Sequence, residues 1–142
     1  MHAALLGVVR QFVFLWFDSK SHAIPYYLGR HVQTIDELLL AIRPPSEIKR
    51  LPRSVSLRKY WKAAEFRNFL LFYSHMCLNQ LLPNEFVSNW YLLIFAVNQL
   101  MMPQVSSSSI TLCDLVLYKF DAMSRSCMGK SIFHIMCTCL LI

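Results

Sequence analysis

His134, Cys137 and Cys139, in the stretch HIMCTC, come closest in this chain to a metal-binding pattern. A structural zinc site takes four ligands, usually as two spaced pairs. No second pair stands near these three, so they read as apolar sequence carrying thiols, and no metal or other cofactor is expected. The five cysteines (Cys77, Cys113, Cys127, Cys137, Cys139) are an odd number without pairing rhythm. That suits a reducing compartment, nuclear or cytoplasmic rather than secreted. His2, His22, His31, His75 and His134 share no ligand spacing. His75 and Cys77, two residues apart, point to different faces of a helix.

Acid–base and nucleophilic chemistry find no better footing. The only adjacent acids, Asp36 and Glu37, fall in the first turn of an expected helix. There the helix dipole stabilises negative charge, and capping explains them without catalysis. Gly7, Gly29 and Gly129 are isolated, so no phosphate-cradling loop exists, and neither G-x-S-x-G nor H-E-x-x-H occurs. A nucleophile needs a base oriented by a third group, and no such set is visible. No catalytic residue is expected.

Charge is more informative. Arg43, Lys49, Arg50, Arg53, Arg58, Lys59, Lys62 and Arg67 face only Glu47 and Glu65, so the segment 43–67 holds the chain's whole excess of +6. A patch of this kind can meet phosphates. The candidate nucleic-acid contacts are Arg50, Arg53, Arg58, Lys59, Lys62 and Arg67, with Tyr60 or Trp61 placed to stack on bases. The competing reading makes Trp61 and Phe66 core anchors and the cations a solvated surface.

The elements that must position these residues are helical. Leu5, Val8, Val9, Phe12, Val13 and Trp16 recur at helical spacing over residues 3–17. Pro25 and Gly29 mark a loop over residues 18–29. A second helix runs from a T-x-x-E capping box at Thr34 and Glu37 to Arg43, where Pro44 stops it. Residues 44–57 read as an extended connector. A third helix is predicted from Lys59 to Leu81, with Ala63, Phe66, Phe69, Leu70, Tyr73 and Cys77 inward. A fourth, capped by Asn84, carries Phe86, Trp90, Leu93, Ile94, Val97 and Met101. Pro103 and the serines 106–109 punctuate the chain before a fifth helix over residues 111–123, with Leu112, Leu115 and Val116. The tail after Lys130 reads as either a strand or a short buried helix. The fold class is therefore all-α, an irregular array of about five helices. Residues 1–102 form its helical segment, and 103–142 a tail with an apolar C-terminus.

Hydrophobic residues make up 56% of the chain and charged residues 15%, which excludes extensive disorder. The longest apolar runs, NWYLLIFAVNQLMM (89–102) and SIFHIMCTCLLI (131–142), fall short of the roughly 20 residues that span a bilayer. Arg10 and Gln11 split the N-terminal apolar stretch, against a signal peptide. No membrane span is expected. The surplus apolar surface implies instead a core, a protein partner on exposed helix faces, or a membrane surface.

One resemblance draws these features together. The N-terminal MHAALLGVVR, Pro52-Arg53-Ser54, Tyr60-Trp61, LLFYS within residues 69–74, and Leu81-Leu82-Pro83 resemble the transposase-related proteins of CACTA (En/Spm)-type transposable elements of animal genomes, over residues 1–102. In that family an Asp stands two places before the Met-His, and the resemblance implies DNA cleavage by a carboxylate triad on an RNase H-like core with two divalent metals. Here Met1 occupies the methionine position, and Phe133 and Ile135 stand where an Asn-Val-His run has its Asn and His. The resemblance therefore implies a truncated fragment: Met1 as an internal methionine, helices lacking the sheet of full-length relatives, and no catalysis. The expected function is a non-catalytic helical remnant of a transposase-like protein. The alternatives are a DNA-binding or protein-interaction module using residues 43–67, or a membrane-surface protein.

Overall fold

The computed structural model describes residues 2–128, and the regular elements among them are all helical, with no strand. The all-α expectation from the sequence is met. The tail after Lys130, with His134, Cys137 and Cys139, lies outside the described residues. The chain forms two compact units, Met1–Pro83 and Asn84–Ile142.

In the first unit, α1 (His2–Trp16) follows the apolar spacing, with Val8, Val9, Phe12, Val13 and Trp16 buried. Phe12 and Trp16, one turn apart, meet edge to face with ring centroids 5.9 Å apart, the orientation that ring quadrupoles favour. Beyond α1 the Asp18 carboxylate accepts the Lys20 amide at 3.0 Å and turns the chain. The following loop is tacked down where the Leu28 amide donates to the Trp16 carbonyl at 2.7 Å. A Cβ on Gly29 would stand 2.0 Å from the Tyr27 hydroxyl, so only glycine lets that ring lie across the turn.

α2 (Val32–Ala41) has its N-cap at His31, three residues before Thr34, and the Thr34–Glu37 capping box does not form. A 3-10 turn, Gly29–His31, runs directly into α2, with the His31 amide bonded to the Leu28 carbonyl at 2.9 Å. Thr34 is thus already inside the helix, and Glu37 accepts from the Gln33 amide group at 3.1 Å instead. Ile35 and Leu39 form the buried face. The helix ends at Ala41, with Ile42 extended, just ahead of Arg43-Pro44.

The third predicted helix begins later than Lys59. Residues Val55–Tyr60 wind into a 3-10 turn, and Trp61 and Lys62 are extended. Next, α3 (Ala63–Asn68) passes through a π-turn (Phe69–Tyr73) into α4 (Ser74–Leu78). Burial explains the π-turn. The inward pairs are Glu65/Phe66, Phe69/Leu70, Tyr73/Ser74 and Cys77/Leu78, repeating every four residues. Four residues of α-helix overshoot a full turn by about 40°, so an uninterrupted helix would carry the later pairs off the core. The wider π-turn takes up that drift. The Ser74 hydroxyl donates to the Leu70 carbonyl within it at 2.9 Å. α1 packs on α3, and α2 on α4 and the 3-10 turn.

The second unit pairs α5 (Asn84–Leu100) with α6 (Ser107–Met128). The two run antiparallel: Asn89 donates to the Ser124 hydroxyl at 2.7 Å, and the Cys113 thiol reaches the Ala96 carbonyl at 3.8 Å. The serine run expected as a break instead starts a helix. The Ser106 hydroxyl accepts the Ser109 amide at 3.1 Å, the N-cap arrangement. The inward residues of α6 are Cys113, Phe120 and Ser124, whereas Leu112 and Leu115 are exposed. No described helix is long and apolar enough to cross a membrane.

Phe120→Ala is expected to destabilise the second unit by about 3–5 kcal/mol, and Leu115→Ala to stay within about 0.5 kcal/mol. Urea unfolding of the two variants measures this. A larger loss at Leu115 than at Phe120 would contradict this inward face.

Candidate functional site

The basic segment is the best candidate site, and its shape is set by two carboxylates. Asp36, on α2, accepts the Val55 amide at 2.8 Å and the Ser54 hydroxyl at 2.5 Å. The Ser54 hydroxyl accepts in turn from the Ser56 amide, so Asp36 and Ser54 together begin the 3-10 turn. Glu65, on α3, is buried and receives a bidentate pair from Arg53, Nε to Oε1 at 2.5 Å and Nη2 to Oε2 at 3.0 Å. Its Oε2 also accepts the Lys62 amide at 2.6 Å, which satisfies the first turn of α3. Burial pushes the Glu65 carboxyl upward. The bonds from Arg53 and the Lys62 amide, with the charges of Arg53 and Arg50, outweigh that and leave it below its ordinary value.

The six nominated cations separate into different roles. Arg53 is committed to Glu65 and to the Tyr60 carbonyl, at 2.9 Å. Arg58 is also a structural group. Its guanidinium donates to the Val55 and Phe17 carbonyls at 3.2 and 3.3 Å, and lies over the Phe14 and Phe17 rings at 5.5 and 5.4 Å. Burial pulls it below its ordinary value, with Asp18 opposing. It joins the 3-10 turn to the end of α1 by hydrogen bonds and a cation–π sandwich. Arg50, Lys59 and Lys62 are exposed, and Arg67 is half-buried. Lys59 holds its ammonium 4.8 Å from the centre of the exposed Tyr60 ring. Trp61 is only 8% exposed and packs on Phe66 and Phe69, so of the two candidate stacking residues only Tyr60 presents a face to solvent.

Asp36 and Ser54 are the contributors that sequence reasoning missed. A serine ahead of a short turn was the available signal, but its carboxylate partner is 18 residues away. Burial, followed by the charge of Asp36, pushes the Cys77 thiol up to about 11, so it stays protonated near neutral pH. Among the described residues no group of three or more His, Cys, Asp or Glu is placed to hold a metal ion. No protein-family model, curated protein or solved structure matches the chain.

Glu65→Gln is expected to cost about 1.5–3 kcal/mol at neutral pH, the range for hydrogen bonds to a charged group. Because the folded carboxyl titrates below the unfolded one, its contribution is complete above the ordinary glutamate range and is lost as pH falls through the lowered value. The gap between wild type and variant, followed by urea midpoints from pH 7 to pH 3, should therefore close. A constant gap would contradict the assignment.

Proposed function

We propose that the chain is a non-catalytic helical remnant of a transposable-element-derived, transposase-like protein, one that acts by contact and not by bond chemistry. The observation that carries the reading is the use made of the motif residues. Arg53 and Ser54 of the P-R-S element hold Glu65 and Asp36. The Tyr60 carbonyl receives Arg53, and Trp61, Phe69 and Tyr73 are core residues. The sequence elements behind the resemblance are thus engaged in holding the first unit. The two acids beside them, Asp36 and Glu65, are occupied by donors. An exposed stripe on α6, Leu112, Leu115 and Tyr118, adds an apolar face suited to a protein partner.

Supercoiled plasmid incubated with the purified chain and Mg²⁺ or Mn²⁺ should show no nicking above the protein-free control. Nicking that a chelator stops would overturn the proposal.

A second reading, contact with DNA through residues 43–67, is favoured by one observation. Lys49, Arg50, Lys59 and Lys62 are exposed on that segment, with exposed Tyr60 beside Lys59. Four phosphate contacts would give a slope of log K against log salt of about −3 to −4. Replacing the four cations with alanine should flatten it. Failure to bind duplex DNA at about 50 mM salt, where phosphate contacts are strong, would remove this reading.

A further inference from the structure

We infer that Ser56 is a phosphorylation site for a serine kinase that reads arginine three residues before its acceptor, and that the clasp between Arg53 and Glu65 gates it. Of the chain's serines and threonines, only Ser46 and Ser56 have an arginine at that distance, Arg43 and Arg53. Charge separates the two. Residues 50–62 hold five cations and no acid around Ser56, which suits an acidic substrate groove. Ser46 has Glu47 beside it, in a turn closed by the Ile48 amide on the Pro45 carbonyl at 3.0 Å. Geometry separates Ser56 from Ser54. The Ser54 hydroxyl is engaged by Asp36 and by the Ser56 amide, whereas Ser56 is exposed and enters that network through its backbone.

The kinase brings magnesium ATP as the donor. The Ser56 Oγ forms a bond to the γ-phosphorus as the bond from that phosphorus to the bridging β-oxygen breaks. ADP leaves with the electron pair, and the hydroxyl proton passes to the kinase's catalytic aspartate. In the closed fold Arg53 is out of reach, since its guanidinium is held by Glu65 and the Tyr60 carbonyl. The segment must therefore open before it is read. Opening gives up little hydrophobic burial, because Val55 is the only fully buried side chain between residues 43 and 60. When the 3-10 turn Val55–Tyr60 closes again, its three-residue period sets position 56 in line with Lys59. A phosphate there draws the Lys59 ammonium from the Tyr60 ring, 4.8 Å away. It also lowers the excess charge of residues 43–67 from +6 to about +4.

The test incubates the intact chain with magnesium ATP and a purified serine kinase of that arginine specificity, and follows mass and site by mass spectrometry. One phosphate on Ser56, absent from Ser56→Ala, is the expected product. Glu65→Gln should acquire it faster by about tenfold or more, the factor that follows from losing hydrogen bonds to a charged group. Phe120→Ala, in the second unit, should leave the rate unchanged. No phosphate, or phosphate carried chiefly by Ser46 or Ser54, would overturn the site. An unchanged rate in Glu65→Gln, or an equal rise in Phe120→Ala, would overturn the gate. If Glu65→Gln does not fold, Asp36→Asn, which loosens the fastening at Ser54 and Val55, takes its place with the same expectations.

Discussion

The bidentate pair between Arg53 and Glu65 is the interaction on which the first unit depends. The segment from Arg43 to Tyr60 is short of apolar residues, and Val55 is its only fully buried side chain. Hydrophobic burial therefore cannot fix its path, and polar contacts must. Glu65 sits at 8% exposure, where an unpaired carboxylate would be strongly disfavoured. Three donor groups from Arg53 and the Lys62 backbone compensate it. The same logic repeats at Asp36 with Ser54 and Val55, and at Arg58 over Phe14 and Phe17. Three polar fastenings thus hold one basic connector to α1, α2 and α3.

That arrangement changes what the positive charge means. A count of cations along residues 43–67 suggests a uniform phosphate-seeking surface. In the fold, Arg53 and Arg58 are absorbed by a carboxylate, carbonyls and aromatic rings, while Arg43 donates to the Leu40 and Ile42 carbonyls. What faces water is a smaller set centred on Arg50, Lys59 and Lys62. Arginine is the side chain suited to the committed positions, since its planar fork can meet a carboxylate and several carbonyls at once. The exposed positions are mostly lysine. Charge composition alone could not separate these roles, because the partners lie up to 41 residues away in sequence.

Much of the fold was legible. The stripe from Val8 to Trp16 and the pattern from Phe86 to Val97 specify helices directly, because each buried face repeats at a helical period over several turns. Errors arose where a local signal was outweighed. Thr34 looked like a cap, but the preceding turn Gly29–His31 had already started the helix. The serines 106–109 looked like a break, yet one serine hydroxyl at Ser106 makes them a beginning. The fifth helix was legible as an element but not by its inward face: Leu112 and Leu115 are exposed, while Cys113, Phe120 and Ser124 are buried. The site was legible as a segment and not as an arrangement. Its cations were countable, but Asp36 and Ser54 meet only through tertiary structure.

Amide hydrogen exchange on the intact chain tests most directly the claim that carboxylates hold the basic segment in place. The Val55 amide, bonded to Asp36, and the Lys62 amide, bonded to Glu65, should be protected nearly as well as the buried turns of α1. Exchange of both at the rate of an open loop would show that residues 43–62 are unfastened, and the account of the clasp would fail.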